Sequence, residues 1–258
     1  RSNWRTLPAF WRSNEMKIAA VLPAAGIGER MCSSLPKQYI EVNGTPILCH
    51  TLNSFLNLEF VDLIVVVSSP AYEQFVKDKL FSYFDIRRQT KLVSVAGGAT
   101  RHRSIAAGLD YFTDREKPEI VIVNDAVRPI ICKDLLKNLI KAANECGAAG
   151  PVCNLTSTVI KPLNGFLDQT LERSKYKNSE MPQVFKYTVL REAYDKCSAY
   201  DYAHGTECLD LVRKYTNVSI PVIEASASHL FKVTHKRDLY AVEGLLKGFY
   251  ILLSCVFI

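Results

Sequence analysis

One loop of the chain combines two glycines with two permanent cations. It follows the apolar run Lys17–Ala24, reads "AGIGERMCSSLPKQ", and contains Gly26, Gly28, Arg30 and Lys37. Glycine lets a backbone approach a ligand closely, and backbone N–H groups together with arginine and lysine cradle phosphate groups. The loop therefore predicts a polyphosphate site. A turn without a ligand is one alternative, and a dinucleotide-binding turn is another, although its third glycine is missing.

Two later loops carry further polar residues. Gly97 and Gly98 open a helical pattern at about residue 101, and the N-terminus of a helix can hold a phosphate or a base edge. Asp125 and Arg128 follow another apolar run in "NDAVRP". The carboxylate of Asp125 could hold Mg²⁺ or orient a substrate hydroxyl, or it could simply pair with Arg128.

The elements that position these loops alternate between strands and helices. Short, nearly continuous apolar runs predict strands buried on both faces, at Lys17–Ala24, Asp62–Ser68, Lys91–Val95 and Glu119–Asp125. Helical patterns lie between and after them, at 46–57, 70–84, 101–113 and up to Gly147. This alternation predicts an α/β fold with a mostly parallel sheet, in which ligands bind at the carboxyl ends of the strands. All three loops fall at those ends.

The chain changes character after Gly147. Residues 148–185 contain short β-prone pieces divided by "PLNG" and a polar run, which predicts a projecting hairpin or arm over about 151–185. The predictions that follow are a helix at Tyr187–Ser198, a loop at His204–Glu207, a β pair at 218–225 and 229–235, and a closing helix at Lys236–Lys247.

Composition limits the class of protein. The 258 residues are 48% hydrophobic and 22% charged, which is typical of one globular domain. The net charge of +6 is dispersed and suits a small anionic substrate better than nucleic acid. The eight cysteines are scattered without metal-ligand spacing, which favours reduced thiols in a cytoplasmic protein over a zinc site or disulfides.

Both ends of the chain differ from its body. Residues 1–15 are interpreted as a leader outside the fold, which leaves 16–247 as the domain. The tail 248–258 is almost wholly apolar but too short to span a bilayer, so no membrane association is expected. A core strand and an aberrant end are the two interpretations of this tail.

Six ordered motifs carry a family resemblance. They are "LPAAGIGERM", "AGGATRHRSIAAGL", "NDAVRP", "MPQVF", "GTE" and "FKVTHKRDL". Their order and spacing over residues 17–247 resemble the sugar- and polyol-phosphate cytidylyltransferases. The resemblance implies a Rossmann-like nucleotidyltransferase sandwich whose protruding β-arm forms a homodimer.

The resemblance also implies the reaction. CMP would pass from CTP to D-ribitol 5-phosphate, giving CDP-ribitol and pyrophosphate for the protein O-mannosyl glycan of dystroglycan. The alternatives are a 2-C-methyl-D-erythritol 4-phosphate cytidylyltransferase of isoprenoid synthesis and an inactive, truncated binding form. Asn124 and Met181 stand where bacterial relatives often have histidine and threonine, which favours the ribitol branch.

The resemblance further implies a role for each of several residues. CTP would contact Ala24, Ala25, Gly26, Gly28, Gly97, Ser104 and Asp125. Arg30, Lys37 and Lys232 would act catalytically on its phosphates. The acceptor would contact Asp125, Arg128, Thr158 and Arg173, the last two on the arm of the neighbouring subunit. Mg²⁺ would arrive on the CTP phosphates, with Asp125 as a candidate ligand. Glu207 is expected to be structural rather than catalytic.

Overall fold

The computed structural model describes residues 16–28, 31 and 35–255. The strands are β1 (Ile18–Ala24), β2 (Glu41–Val42), β3 (Thr45–Pro46), β4 (Leu63–Ser68), β5 (Leu92–Ala96), β6 (Ile120–Val123), β7 (Ala148–Asn154), β8 (Val159–Leu163), β9 (Phe166–Leu171), β10 (Lys177–Ser179), β11 (Gln183–Lys186) and β12 (Val222–Glu224). The α-helices are α1 (Ile47–Leu56), α2 (Glu73–Phe75), α3 (Ile86–Gln89), α4 (Arg101–Asp110), α5 (Lys133–Cys146), α6 (Tyr187–Lys196), α7 (Ala199–His204), α8 (Cys208–Tyr215) and α9 (Asp238–Cys255). No helix in this described part of the chain is long and apolar enough to cross a membrane.

The main sheet has a parallel half and an antiparallel half. Its order is β10-β7-β11-β6-β1-β4-β5, with β12 added beside β7. The four strands β6, β1, β4 and β5 are parallel, as the sequence predicts, whereas β11 runs antiparallel to both β6 and β7. The chain moves outward from β1 through β4 to β5 and then returns to the other side of β1 with β6. The strand order thus reverses between β1 and β6, and ligands bind at such a reversal in open α/β sheets.

Apolar side chains from both faces of β1 explain the layers. Ala20 and Leu22 pack with α1 and α5 on one face, and Ala19 and Val21 pack with α4, α6 and α8 on the other. Because both faces of the strand are covered, its sequence is continuously apolar rather than alternating. The result is a three-layer sandwich of helices, sheet and helices.

The predicted arm is shorter than 151–185. Strands β7, β10 and β11 belong to the main sheet, and only the hairpin β8–β9 is separate from it. Asn164 and Gly165 form its turn with φ of 50° and 85°, the positive values that a two-residue hairpin turn requires. Phe166 and Leu167 on this hairpin are 79% and 64% exposed.

Several local predictions are wrong. Residues 70–83 form short 3₁₀, α and π turns instead of one helix, and α7 and α8 were not predicted. The predicted β pair is absent from the described residues, since β12 pairs with β7 and residues 231–234 have no regular structure. The closing helix continues to Cys255, so 248–255 is helix rather than a core strand, and propagating an existing helix is easier than starting a new element.

Candidate active site

A cleft opens at the reversal point of the sheet, where β1, β5 and β6 end. It is lined by Pro23, Ala24, Ala25, Gly26, Lys37, Gln38, Gly98, Ala99, Thr100, Arg101, Ser104, Asp125, Ala126, Val127 and Lys232. The structure thus brings together seven of the predicted site residues: Ala24, Ala25, Gly26, Lys37, Ser104, Asp125 and Lys232. Arg30 lies outside the described residues.

The first loop is shaped by Gly28. Its φ is +73°, a conformation that side chains rarely adopt, and an added Cβ would lie 3.0 Å from Cγ of Lys37. Lys37 can therefore pack directly on this glycine, and its ammonium donates to the carbonyl of Val233 at 3.2 Å. Gln38, which sequence reasoning missed, is buried and donates its amide to the carbonyls of Ala24 and Gly26. These bonds fix the loop against the end of β1, although a glutamine beside a lysine gives no sequence signal for that role.

The second loop brings the start of α4 against the first. A Cβ on Gly97 would lie 2.9 Å from Cβ of Ala25 and 3.0 Å from Oγ of Ser104. Only glycine allows this approach. Ser104 donates to the carbonyl of Gly98 at 3.2 Å, and Thr100 caps the helix by accepting from the amide of Arg103. The backbone N–H groups in the first turn of α4 thereby lie beside the cleft.

Asp125 is the electrostatic centre of the site. Its Oδ2 accepts from Nε of Arg128 at 3.0 Å and pairs with Nζ of Lys232 at 2.9 Å, while Oδ1 accepts from Arg101. Burial alone would raise the pKa of Asp125, but the charges of Arg101, Lys232 and Arg128 outweigh burial and hold that pKa well below its usual range. The sequence left a simple pair with Arg128 as an alternative. That pair exists, within a cluster that also contains Arg101.

The pairing of both Asp125 oxygens argues against this residue as a direct Mg²⁺ ligand. A divalent cation there would have to displace two or three protein cations from the carboxylate. Within the described parts of the chain, no group of three or more acidic, histidine or cysteine side chains is arranged to hold a metal ion. The described side chains around Asp125 thus do not offer a free set of oxygen ligands for a resident magnesium ion.

Lys232 lies in residues 231–234, a segment without regular structure beside the cleft. The amide of Val233 donates to the carbonyl of Val127 at 3.0 Å, which ties this segment to the loop after β6. The carboxylate of Asp238 accepts from the amides of Thr234 and His235 at 2.8 and 2.7 Å. Because the segment is anchored at both places, Lys232 is held at the cleft, next to the residue whose carbonyl accepts from Lys37.

Two side chains at the start of α4, the buried His102 and the exposed Arg103, contact neighbouring helices. His102 is fully buried, and its Nδ1 lies 2.9 Å from the hydroxyl of Tyr194 on α6. Burial, followed by the charge of Arg101, lowers the pKa of His102 to about 4. The guanidinium of Arg103 stacks 5.1 Å from the ring centre of Tyr202 on α7. The start of α4 is therefore held by two helices that the sequence analysis did not connect with the site.

Five predicted residues do not line the cleft of their own chain: Gly28 and Gly97, which shape its loops, and Arg128, Thr158 and Arg173. Thr158 and Arg173 are exposed on the arm, where Arg173 donates to the carbonyl of Thr156 at 3.1 Å. Arg128 is buried behind Asp125. Glu207 caps α8 by accepting from the amide of Leu209 at 3.2 Å, in agreement with its predicted structural role.

Comparisons with known proteins agree with this geometry. The family model described as "IspD: 2-C-methyl-D-erythritol 4-phosphate cytidylyltransferase" matches residues 18–248. The chain is 44% identical to the D-ribitol-5-phosphate cytidylyltransferase of Xenopus tropicalis over 90% of this chain and 57% of that protein. It is 34% identical to the 2-C-methyl-D-erythritol 4-phosphate cytidylyltransferase of Syntrophus aciditrophicus, over 90% of this chain and 96% of the relative.

Solved structures extend the comparison to the fold. The crystal structure of the 4-diphosphocytidyl-2C-methyl-D-erythritol synthase of Anaerococcus prevotii superposes with a TM-score of 0.74 at 25% identity, covering 90% of this chain and 96% of that one. The chain spans about half the length of the ribitol-phosphate relatives it matches. With its sheet, its cleft and its sequence all in agreement over residues 18–248, the chain belongs to the IspD family of cytidylyltransferases.

Proposed function

We propose that the protein transfers CMP from CTP to D-ribitol 5-phosphate, releasing pyrophosphate and giving CDP-ribitol for protein O-mannosyl glycans. The observation that carries this proposal is the cleft lined by Lys37, Arg101 and Lys232, in which Arg101 and Lys232 pair with the buried Asp125 beside a glycine-containing loop. Such an arrangement suits two phosphate-bearing substrates. Identity of 44% to a ribitol-phosphate enzyme, against 34% to a methylerythritol-phosphate enzyme, supports ribitol phosphate as the acceptor.

The reaction needs positioning more than proton transfer. An oxygen of the acceptor phosphate attacks the α-phosphorus of CTP, a new P–O bond forms, and the bond to the pyrophosphate leaving group breaks. Because the attacking oxygen is already anionic, a strong general base is not required. Lys37 and Lys232 reduce the repulsion between the two anions and stabilise the charge that develops at phosphorus. Lys232 is held in place by Asp125 until substrate phosphates compete for it.

Mg²⁺ enters this proposal as part of the substrate. Since Asp125 is already paired with protein cations, we assign the metal to the triphosphate of CTP rather than to a protein site. The Gly28–Lys37 loop and the start of α4 then bind a magnesium–nucleotide complex. Arg30 is proposed to contribute a further positive charge to the same phosphates.

The complete site is proposed to need two chains. Thr158 and Arg173 are exposed on the arm, and Phe166 and Leu167 present apolar surface on the same hairpin. A homodimer that covers these apolar side chains would place each arm near the neighbouring cleft, with Arg173 on the acceptor phosphate. We further propose that the protein acts in the cytoplasm, as its scattered cysteines indicate.

The experiment that tests this function is pyrophosphate release by the purified chain. The assay supplies CTP, Mg²⁺ and either D-ribitol 5-phosphate or 2-C-methyl-D-erythritol 4-phosphate, and sedimentation measures the mass of the assembly. Release with ribitol phosphate alone is expected. Pyrophosphate release with methylerythritol phosphate alone would show that this compound, and not ribitol phosphate, is the acceptor. The absence of release by a folded dimer with either acceptor would refute the proposed reaction.

A further inference from the structure

After the β8–β9 hairpin the chain re-enters the main sheet as β10 and then as β11, close to Asp125. The connection between these two strands, residues 180–182, is called the base of the arm. Strand β11 pairs antiparallel with β6, and its first residue, Gln183, lies opposite Val123, two residues before Asp125. Glu180 occupies the short connection between β10 and β11, and its amide donates to the carbonyl of Pro151 at 3.0 Å. A residue at the base of the arm is thus fixed next to the most highly charged part of the cleft.

The side chain of Glu180 holds Arg128. Its Oε2 accepts from Nη1 of Arg128 at 2.7 Å, and the carboxylate side chain is only 19% exposed. The same guanidinium donates through Nε to Asp125 at 3.0 Å and through Nη1 to the carbonyl of Leu230. Arg128 is therefore held between the strand end that carries Asp125, the base of the arm and the segment that leads to Lys232.

The neighbouring residue makes a second contact from the arm base. Nη2 of Arg101 lies 3.8 Å from the sulfur of Met181, which is buried. Two of the three cations around Asp125 are thus touched by consecutive residues at the base of the arm. The position of this base and the geometry of the cation cluster are consequently linked.

We infer that Glu180 is a positioning residue that fixes Arg128 beside Asp125, where we propose that the guanidinium contributes to the site of the acceptor phosphate. This inference rests on the proposed function. A free arginine side chain samples many rotamers, and fixing one of them costs conformational entropy. Because Glu180 holds Arg128 before the substrate arrives, this cost does not reduce the affinity for the substrate. Since CTP is assigned to the Gly28–Lys37 loop and α4, the loss of Glu180 should weaken acceptor binding and leave CTP binding almost unchanged.

The test compares Glu180→Ala with Glu180→Gln and with the control Glu172→Ala. Glu172 is exposed, and its carboxylate contacts Lys175 and Ser174 rather than Arg128, so its loss leaves Arg128 untouched. Glu180→Ala is expected to raise KM for D-ribitol 5-phosphate about tenfold at saturating CTP, the factor that corresponds to losing one hydrogen bond between charged groups. Glu180→Gln keeps an accepting oxygen and should fall between Glu180→Ala and the wild type.

The split between the two KM values separates positioning from a structural role. KM for CTP and kcat should stay within about twofold of the wild type, since neither depends on the Arg128 contact. An unchanged acceptor KM, or equal increases in both KM values, would overturn the inference. If Glu180→Ala does not fold, Glu180→Gln decides, and an acceptor KM equal to that of the wild type overturns it.

A measurement without turnover keeps this inference distinct from the proposed function. In protein labelled with ¹⁵N-arginine, the Nη–H signals of Arg128, assigned by their loss in Arg128→Lys, should exchange slowly with solvent in the wild type and faster in Glu180→Ala, because Glu180 accepts from Nη1. Absence of wild-type turnover with a protected signal would refute the proposed function alone. A signal that exchanges equally fast in the wild type and in Glu180→Ala would refute the role of Glu180 in holding Arg128, whatever the activity.

Discussion

Replacement of Asp125 by asparagine tests the electrostatic centre of the cleft. The substitution keeps the size of the side chain but removes the charge that Arg101, Arg128 and Lys232 share. Breaking a buried ion pair costs about 3–5 kcal/mol because the partner charge remains buried. Lys232 is 35% exposed and partly screened, so Arg101 and Arg128 should account for most of this loss.

Urea denaturation measures the effect on stability. Asp125→Asn is expected to lower the free energy of unfolding by about 3–5 kcal/mol at pH 7. Asp110→Asn serves as the control, since Asp110 pairs with Arg191 at the surface and is 61% exposed. That control should lose less than about 1 kcal/mol. Pyrophosphate release should fall by about a hundredfold or more for Asp125→Asn, because Lys232 loses its anchor.

The pH dependence gives an independent check with a defined sign. The pKa of Asp125 is lower in the folded protein than in the unfolded chain. Its stabilisation is therefore complete above the ordinary carboxyl pKa, near 4, and is lost at about 1.4 kcal/mol per pH unit below that value. The difference between wild type and Asp125→Asn should shrink in that acid range. A difference below about 1 kcal/mol at pH 7, unchanged down to pH 3, would refute the assigned role of Asp125.

The remaining predictions concern the loop, α4 and the arm. Lys37→Ala should fold normally but lose about 3–4 kcal/mol of transition-state stabilisation, and near-normal pyrophosphate release would contradict the phosphate cradle. Gly28→Ala should raise KM for CTP, whereas Gly44→Ala, with a similar φ of +72° but nothing within 4 Å of the added Cβ, should only lower the melting temperature. With a pKa of about 4 in the folded protein, His102 should contribute stability above pH 6.5 that is lost as the pH falls toward 4. If the free energy of unfolding of His102→Gln falls equally steeply over that pH range, His102 is not the group responsible. Phe166→Ser should shift sedimentation toward monomer, and an unchanged dimer would remove this side chain from the proposed interface.

The sequence by itself determined the class of fold and the chemistry of the loops. Residues 63–67 are apolar at every position, a pattern that is typical of strands covered on both faces. The glycines, Lys37 and Asp125 all follow such runs, and parallel strands bring their carboxyl ends to one edge. These inferences needed only local patterns and the rules of α/β topology. For the same reason the hairpin turn at Asn164 and Gly165 was predictable.

Only the tertiary structure decided which groups meet. Arg101, Asp125 and Lys232 come from three separate segments. The pairing of Asp125 with Lys232 depends on the course of residues 231–234, which sequence reasoning assigned to a strand. Gln38 and Glu180 resemble any surface polar residue in the sequence, and burial against particular carbonyls and guanidinium groups gives them their roles. A residue's type fixes the bonds it can make, but the fold fixes its partners, and partners determine pKa, orientation and charge at the cleft.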